Sequence, residues 1–139
     1  MTFRKKILLV DYEPRMTAAV KSALEETGKY VIKSENDSRQ AFNAARWFQP
    51  DLILFDVNIT TRHGESAAQQ LQADPTFRET PVVFLSVNGA FDGGVASGGI
   101  LSGYSFRVNP IRIEEFVRYV AELLTPPAER KTKRLPETT

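Results

Sequence analysis

The chain of 139 residues has 18 basic and 17 acidic side chains, a formal net charge of +1 and no cysteine. This length suits one folded domain, and the absence of cysteine excludes disulfides, thiolate metal sites and thiol catalysis. The balanced charge creates no global field for nucleic acid or an anionic membrane, so we expect partners to be recognised locally. The first apolar run is far shorter than the about 20 residues of a membrane-spanning helix, which predicts a cytoplasmic protein.

Five segments have the composition of β-strands. Unbroken apolar runs at Ile7–Val10, Leu52–Phe55 and Val82–Leu85 indicate strands that are buried on both faces of a parallel sheet. Tyr30–Ile32 and Tyr104–Val108 are weaker, partly alternating segments, which we place nearer the edges of the same sheet. The sequence therefore predicts five strands.

Amphipathic stripes between these strands predict helices. The stripes are Met16, Val20 and Leu24, then Phe42, Ala45 and Phe48, and finally Ile113, Phe116, Val117, Val120 and Leu124. We expect Gly28 to close the first helix, Ser38 to cap the second and Pro50 to stop it. Strand and helix then alternate, which predicts a doubly wound α/β fold: a five-stranded parallel sheet with helices on both faces.

The fourth helix is poorly encoded. Six of the eight glycines lie in the segment from Gly89 to Gly103, both included. Glycine in a helix interior costs roughly 0.5–1 kcal/mol relative to alanine. We therefore expect this helix to be short or irregular. After Leu124, prolines and mixed charges without an apolar stripe predict a flexible tail or linker at residues 125–139, following a domain at residues 1–124.

Four polar residues follow predicted strands: Asp11, Asp56, Ser86 and Asn109. In a doubly wound sheet, ligands gather at the carboxyl ends of the strands. A carboxylate at the position of Asp56 can act as a nucleophile towards a phosphoryl donor, and with Asp11 beside it could hold Mg²⁺. The alternative is that a single aspartate after a strand serves only as a turn or capping residue.

Four segments together resemble the receiver domains of response regulators, with the same order and spacing. They are Lys6–Pro14 (KILLVDYEP), Gln49–Asp56 (QPDLILFD), Val82–Ser86 (VVFLS) and Phe106–Pro110 (FRVNP). The resemblance covers residues 5–124 and implies a flavodoxin-like, chemotaxis-type fold. It also implies a role in two-component signalling.

The resemblance implies specific roles for residues of this chain. Asp56 would accept a phosphoryl group from a histidine kinase or phosphotransfer protein, and Asp11, Asp56 and the backbone carbonyl of Asn58 would hold Mg²⁺. Ser86 would hydrogen-bond the phosphoryl group, and Phe106 would move inward as part of the switch. The fourth helix, fifth strand and fifth helix would form the surface that downstream partners, or a second copy in a homodimer, recognise.

Two positions depart from the family pattern. Tyr12 stands where the family has a second acidic residue, and its phenol is neutral at pH 7, so Mg²⁺ binding should be weakened. Asn109 replaces the family's lysine and brings no positive charge to the phosphoryl group. The lone histidine, His63, is assigned no role.

Two main hypotheses follow. The chain is either a phosphoaccepting receiver, which is not a turnover enzyme on an external substrate, or a pseudo-receiver that binds partners independently of phosphorylation. A nucleotide- or flavin-binding enzyme of the same fold class is disfavoured, because the turn at residues 11–15 has no glycine to let the backbone approach phosphates. No membrane contact or direct nucleic-acid binding is expected.

Overall fold

The computed structural model describes residues 4–11, 14–56, 70–71, 73–88, 94–101, 104–107 and 112–125. Its strands are β1 (Lys5–Val10), β2 (Tyr30–Glu35), β3 (Leu52–Asp56), β4 (Val82–Asn88), β5 (Gly94–Leu101) and β6 (Tyr104–Arg107). Its helices are α1 (Pro14–Glu26), α2 (Ala41–Phe48) and α3 (Ile113–Leu123), with short 3₁₀ turns at Ser38–Gln40 and Pro75–Phe77.

The strands form one sheet in the order β2-β1-β3-β4-β5-β6. The pairings β2–β1, β1–β3 and β3–β4 are all parallel. Parallel strands need long crossover connections: α1 lies in the connection from β1 to β2, and α2 lies in the connection from β2 to β3. The predicted α/β class with a parallel sheet is thus confirmed for these four strands.

The apolar strands divide their side chains between two hydrophobic clusters because successive residues of a strand point to opposite faces. On one face, alternate strand residues such as Ile7 and Leu54 pack with Val20 of α1 and Phe116 of α3. On the other face, the intervening residues, such as Leu8 and Phe55, pack with the alanines of α2. Helices therefore cover both faces, as the unbroken apolar runs predicted.

The carboxyl-terminal part of the sheet differs from the prediction. β5 pairs antiparallel with β4, and β6 pairs antiparallel with β5, so the sheet has six described strands and is mixed. The expectation of five parallel strands is wrong in this part, and the predicted fourth helix is wrong over residues 94–101. Glycines weaken a helix, while the ladder of β5 needs only backbone groups and contains the strand-forming residues Val95 and Ile100.

Two of the three helix-boundary predictions are confirmed. α1 ends at Glu26, and Gly28 adopts a left-handed conformation with φ +73°. α2 ends at Phe48, before Pro50, and Gln49 between them is also left-handed, with φ 56°. Ser38 does not cap a helix: it is a buried residue of the 3₁₀ turn.

The cap of that 3₁₀ turn is Asp37, whose carboxylate accepts from the backbone N–H of Arg39 at 2.9 Å. An aspartate one residue earlier serves as well as serine because either oxygen can accept from the first free N–H groups of the turn.

The described end of the chain is α3 and the two residues after it, so the predicted tail lies outside the described residues, apart from Thr125. Within the described ranges, no helix is long and apolar enough to cross a membrane.

Candidate functional site at the carboxyl edge of the sheet

The register of the parallel strands brings two predicted site residues to the same level of the sheet. Val10 of β1 pairs with Phe55 of β3, so Asp11 and Asp56 are each the next residue on adjacent strands. Neighbouring strands lie about 4.8 Å apart. The two aspartates therefore occupy adjacent backbone positions at the carboxyl edge, as the sequence predicted.

Asp11 is held firmly in this position. Its backbone N–H donates to the carbonyl of Glu35 at 2.9 Å, which extends the β1–β2 ladder by one residue, and Asp11 is only 1% exposed. Burial of a carboxylate carries a desolvation penalty that nearby donors or a cation must offset. The position of Asp11 therefore suits a cation at this edge.

Asp56 ends a strand whose four preceding residues, 52–55, are fully buried. Its backbone is in register with Leu85 of β4, and β3 is flanked by β1 and β4 on its two sides. A residue at the end of such a strand has little backbone freedom, which is what a positioned nucleophile requires.

Ser86 is one residue beyond Leu85 and so lies one position past Asp56 on the adjacent strand. The apolar run predicted a strand that ends at Leu85, but β4 continues to Asn88, so Ser86 lies within the strand and not after it. The extension occurs because β5 pairs with β4, and Ala96 lies opposite Ser86.

Phe106 lies on β6, separated from β4 by β5. It pairs with Gly99, which pairs with Val83. Phe106 is thus level with Val83 and two strand spacings, about 10 Å, away from β4. In this arrangement it is not on a strand adjacent to that of Ser86, because β5 lies between β4 and β6.

Several predicted residues lie outside the described residues: Tyr12, Asn58, His63 and Asn109. Asp11 and Asp56, whose backbones the structure places at this edge, are carboxyl-bearing residues, and oxygen donors are the ligands that Mg²⁺ prefers. Carboxylate groups are therefore suitable ligands for a magnesium ion at this edge. Among the side chains that the structure describes, no group of three His, Cys, Asp or Glu residues is close enough to hold a metal.

Glu35 also lies at this edge, which the sequence did not predict. Glu35 ends β2 in register with Val10, and its carboxylate accepts from the backbone N–H of Asp37 at 3.2 Å. The sequence-based strand ended at Ile32 because Lys33, Ser34 and Glu35 are polar. These three consecutive polar residues show no apolar alternation, so no local signal marked a strand beyond Ile32.

The family model for the response regulator receiver domain matches residues 7–96 of the chain. The chain belongs to this family. Receiver domains function in two-component phosphorelay signalling, so the resemblance stated from the sequence motifs is confirmed. Asp11, Asp56 and Ser86 all lie within the matched range, as do β3, β4 and residues 7–10 of β1.

Individual relatives agree with this assignment. The response regulator Rre1 of Synechocystis sp. is 28% identical over 123 residues, which cover 85% of this chain and 51% of Rre1. The structure of the signal receiver domain of a histidine kinase from Syntrophus aciditrophicus is 24% identical with a TM-score of 0.67, covering 94% of this chain and 98% of that one. This similarity supports the fold.

A second structural neighbour, the Mn²⁺-bound form of response regulator Rcp1, is 23% identical with a TM-score of 0.52, over 63% of this chain and 69% of that one. The receiver domain spans about half the length of Rre1, so the output of a complete protein does not follow from this similarity.

Proposed function

We propose that this receiver domain is a phosphoacceptor, with Asp56 as the residue that is phosphorylated by a histidine kinase or phosphotransfer protein. The observation that supports this most is the backbone register. Val10 and Phe55 are paired on adjacent parallel strands, and Asp11 and Asp56 are the residues that follow them. The domain comprises residues 1–124, and residues 125–139 form a tail.

The proposed reaction is a simple phosphoryl transfer. An oxygen of the Asp56 carboxylate attacks the phosphorus of a phosphohistidine, the P–N bond breaks as the P–O bond forms, and the imidazole nitrogen keeps the electron pair. The product is an acyl phosphate, which water later hydrolyses to restore the carboxylate. Such transfers depend mainly on positioning and on stabilising charge at the equatorial oxygens, and the buried strand before Asp56 provides the positioning.

Asp11, Asp56 and the backbone carbonyl of Asn58 would hold Mg²⁺, which would counter the negative charge of the phosphoryl oxygens. The Mn²⁺-bound form of Rcp1 supports a divalent ion in this fold. Tyr12 supplies no carboxylate, so binding is expected to be weak. Asn109 would donate an amide hydrogen bond where the family has a charged lysine.

Ser86 would hydrogen-bond the phosphoryl group and, with Phe106, transmit its presence to partners. Because β5 separates the strands of these two residues, a shift of β5 is the expected route. The surface that partners recognise would then consist of β6 and α3, in place of the predicted fourth helix, fifth strand and fifth helix. A homodimer through this surface stays a prediction.

Intact-mass analysis after incubation with Mg²⁺ and a small acyl-phosphate donor tests the phosphoacceptor role. We expect one added phosphoryl group on the parent protein and none on Asp56→Asn. The matched control is Asp51→Asn, at the opposite end of β3, because an asparagine oxygen can still accept the 2.8 Å hydrogen bond from the Lys6 N–H. Modification of Asp56→Asn to the same extent as the parent would refute the assignment.

Calorimetric titration with MgCl₂ tests the metal ligands independently. We expect weak binding by the parent, weaker binding by Asp11→Asn, and tighter binding by Tyr12→Asp, which adds a second carboxylate. If the parent is neither phosphorylated nor able to bind Mg²⁺, and Tyr12→Asp changes nothing, the protein functions as a phosphorylation-independent interaction module.

A further inference from the structure

Strand β2 forms an edge of the described sheet, with β1 as its neighbour on one side. The N–H groups of Lys5 and Asp11 donate to the carbonyls of Lys29 and Glu35, at 3.1 and 2.9 Å. Residues 29 and 35 therefore face β1. Because backbone polar groups alternate in direction along a strand, those of Tyr30, Ile32 and Ser34 face away from β1. They form a short row of outward backbone donors and acceptors.

Exposed apolar side chains lie beside this row. Among the residues that the structure describes, the large hydrophobic side chains that stand exposed are Val31, at 42%, and Trp47, at 78%. They lie on the same face of the molecule: Lys33, two residues after Val31, places its ammonium 5.3 Å from the centre of the Trp47 ring. We call Val31, Lys33 and Trp47 the β2-edge patch.

We propose that the β2 edge binds a second copy of this chain as an antiparallel strand, centred on Ile32. In this register Ile32 lies opposite Ile32 of the second copy, and Tyr30 lies opposite Ser34. These are the residues whose backbone groups face outward on both copies, so each opposed couple can exchange two backbone hydrogen bonds. The contact has two-fold symmetry, as expected for a closed dimer.

The same register makes the side chains complementary. Lys29 lies opposite Glu35 of the second copy, and the two-fold axis repeats this ion pair at the other end of the strand. Val31 lies opposite Lys33, whose alkyl stem and the adjacent Trp47 ring would cover it. Opposed residues in an antiparallel pair share a face, and opposite charges directly across strands are favourable. This match of charges with the chain's own strand is the reason to favour a second copy over an unrelated extended peptide.

Sedimentation analysis over a range of concentrations tests the dimer, and charge reversal tests its register. The parent should show reversible dimerisation, and Lys29→Glu or Glu35→Lys should each weaken it by about tenfold or more, since two like-charge pairs replace two ion pairs. The double variant Lys29→Glu/Glu35→Lys should recover close to parental affinity. Arg78→Glu, an exposed charge reversal before β4, should dimerise like the parent.

Disulfide formation gives a second test of the register. Non-hydrogen-bonded couples in antiparallel strands have Cα atoms about 4.5 Å apart, within the range of disulfides. A mixture of Val31→Cys and Lys33→Cys should therefore cross-link faster than either variant alone, and the chain has no other cysteine.

Either of two results would overturn the proposal. The first is a parent that remains a monomer at all concentrations. The second is a double charge reversal that dimerises no better than the single variants. In the first case a second copy of this chain does not bind the β2 edge. Asp56→Asn should dimerise like the parent, so failure of this inference is distinguishable from failure of the phosphoacceptor proposal. Circular dichroism of each variant checks that it is folded.

Discussion

Replacement of Tyr119 by phenylalanine is expected to make the protein more resistant to alkaline unfolding. Tyr119 is 6% exposed, on the face of α3 that packs on the sheet, with its ring centre 6.2 Å from that of Phe116. Burial raises its pKa well above the ordinary value of about 10, because the phenolate would lose its solvation.

The sign follows from proton binding in the two states. Above about pH 10 the unfolded chain loses the Tyr119 proton while the folded protein keeps it, so the folded state binds more protons and its stability falls as pH rises. Stability from this group is intact below pH 10. At about pH 11 the loss reaches roughly 1.4 kcal/mol, from 1.36 kcal/mol per pH unit.

Urea unfolding monitored by circular dichroism at about pH 8, 10 and 11 measures this effect. Fluorescence is less suitable because the single tryptophan, Trp47, is largely exposed. Relative to the parent, Tyr119→Phe should gain about 1.4 kcal/mol between pH 8 and 11, by the same linkage. Adding Tyr30→Phe should flatten the pH dependence further, since burial also raises the pKa of Tyr30. A difference between parent and Tyr119→Phe that stays constant with pH would show that the phenol is solvated and that α3 is not packed as described.

Three further substitutions test local features of the fold by denaturant unfolding at neutral pH. Phe116→Ala, at a fully buried position of α3, should lose about 3–5 kcal/mol of stability through lost apolar burial and a cavity. Arg118→Ala, on the exposed side of that helix, should change stability by less than about 0.5 kcal/mol. Equal losses in the two variants would contradict the burial of Phe116. Asp37→Ala should lose about 1 kcal/mol with the cap of the 3₁₀ turn, and an unchanged stability would mean that the hydrogen bond to Arg39 has no net value. Gln49→Gly should gain up to about 1 kcal/mol because Gln49 is left-handed, and a loss would indicate that its side-chain bond to the Arg46 carbonyl matters more.

Much of the fold and part of the site could be predicted from local sequence. The runs around Leu8, Leu54 and Val83 identified buried parallel strands because only strands with both faces covered are apolar at every position. Gly28 and Pro50 marked helix ends because their backbone restrictions act locally. Asp11 and Asp56 could be assigned to one edge because parallel strands all end at the same side of a sheet.

The pairing of residues 94–101 with β4 could not be predicted in this way. Residues 94–101 have no strong helix or strand pattern of their own, and their conformation follows from the free edge of β4, with which they pair over seven residues. That pairing extends β4 past Ser86 and moves Phe106 one strand farther away. Likewise, Glu35 joins the edge because Asp11 supplies a backbone donor to it.

The sequence by itself determined the α/β class, the buried strands and the two aspartates that follow them, because these depend on periodicity, on backbone restrictions of single residues and on motif spacing. Only the tertiary structure decided that residues 94–101 pair with β4, where β4 ends and what remains exposed at the β2 edge. These features depend on hydrogen bonds between segments that are distant in the chain, and no local pattern of residues specifies such a partner.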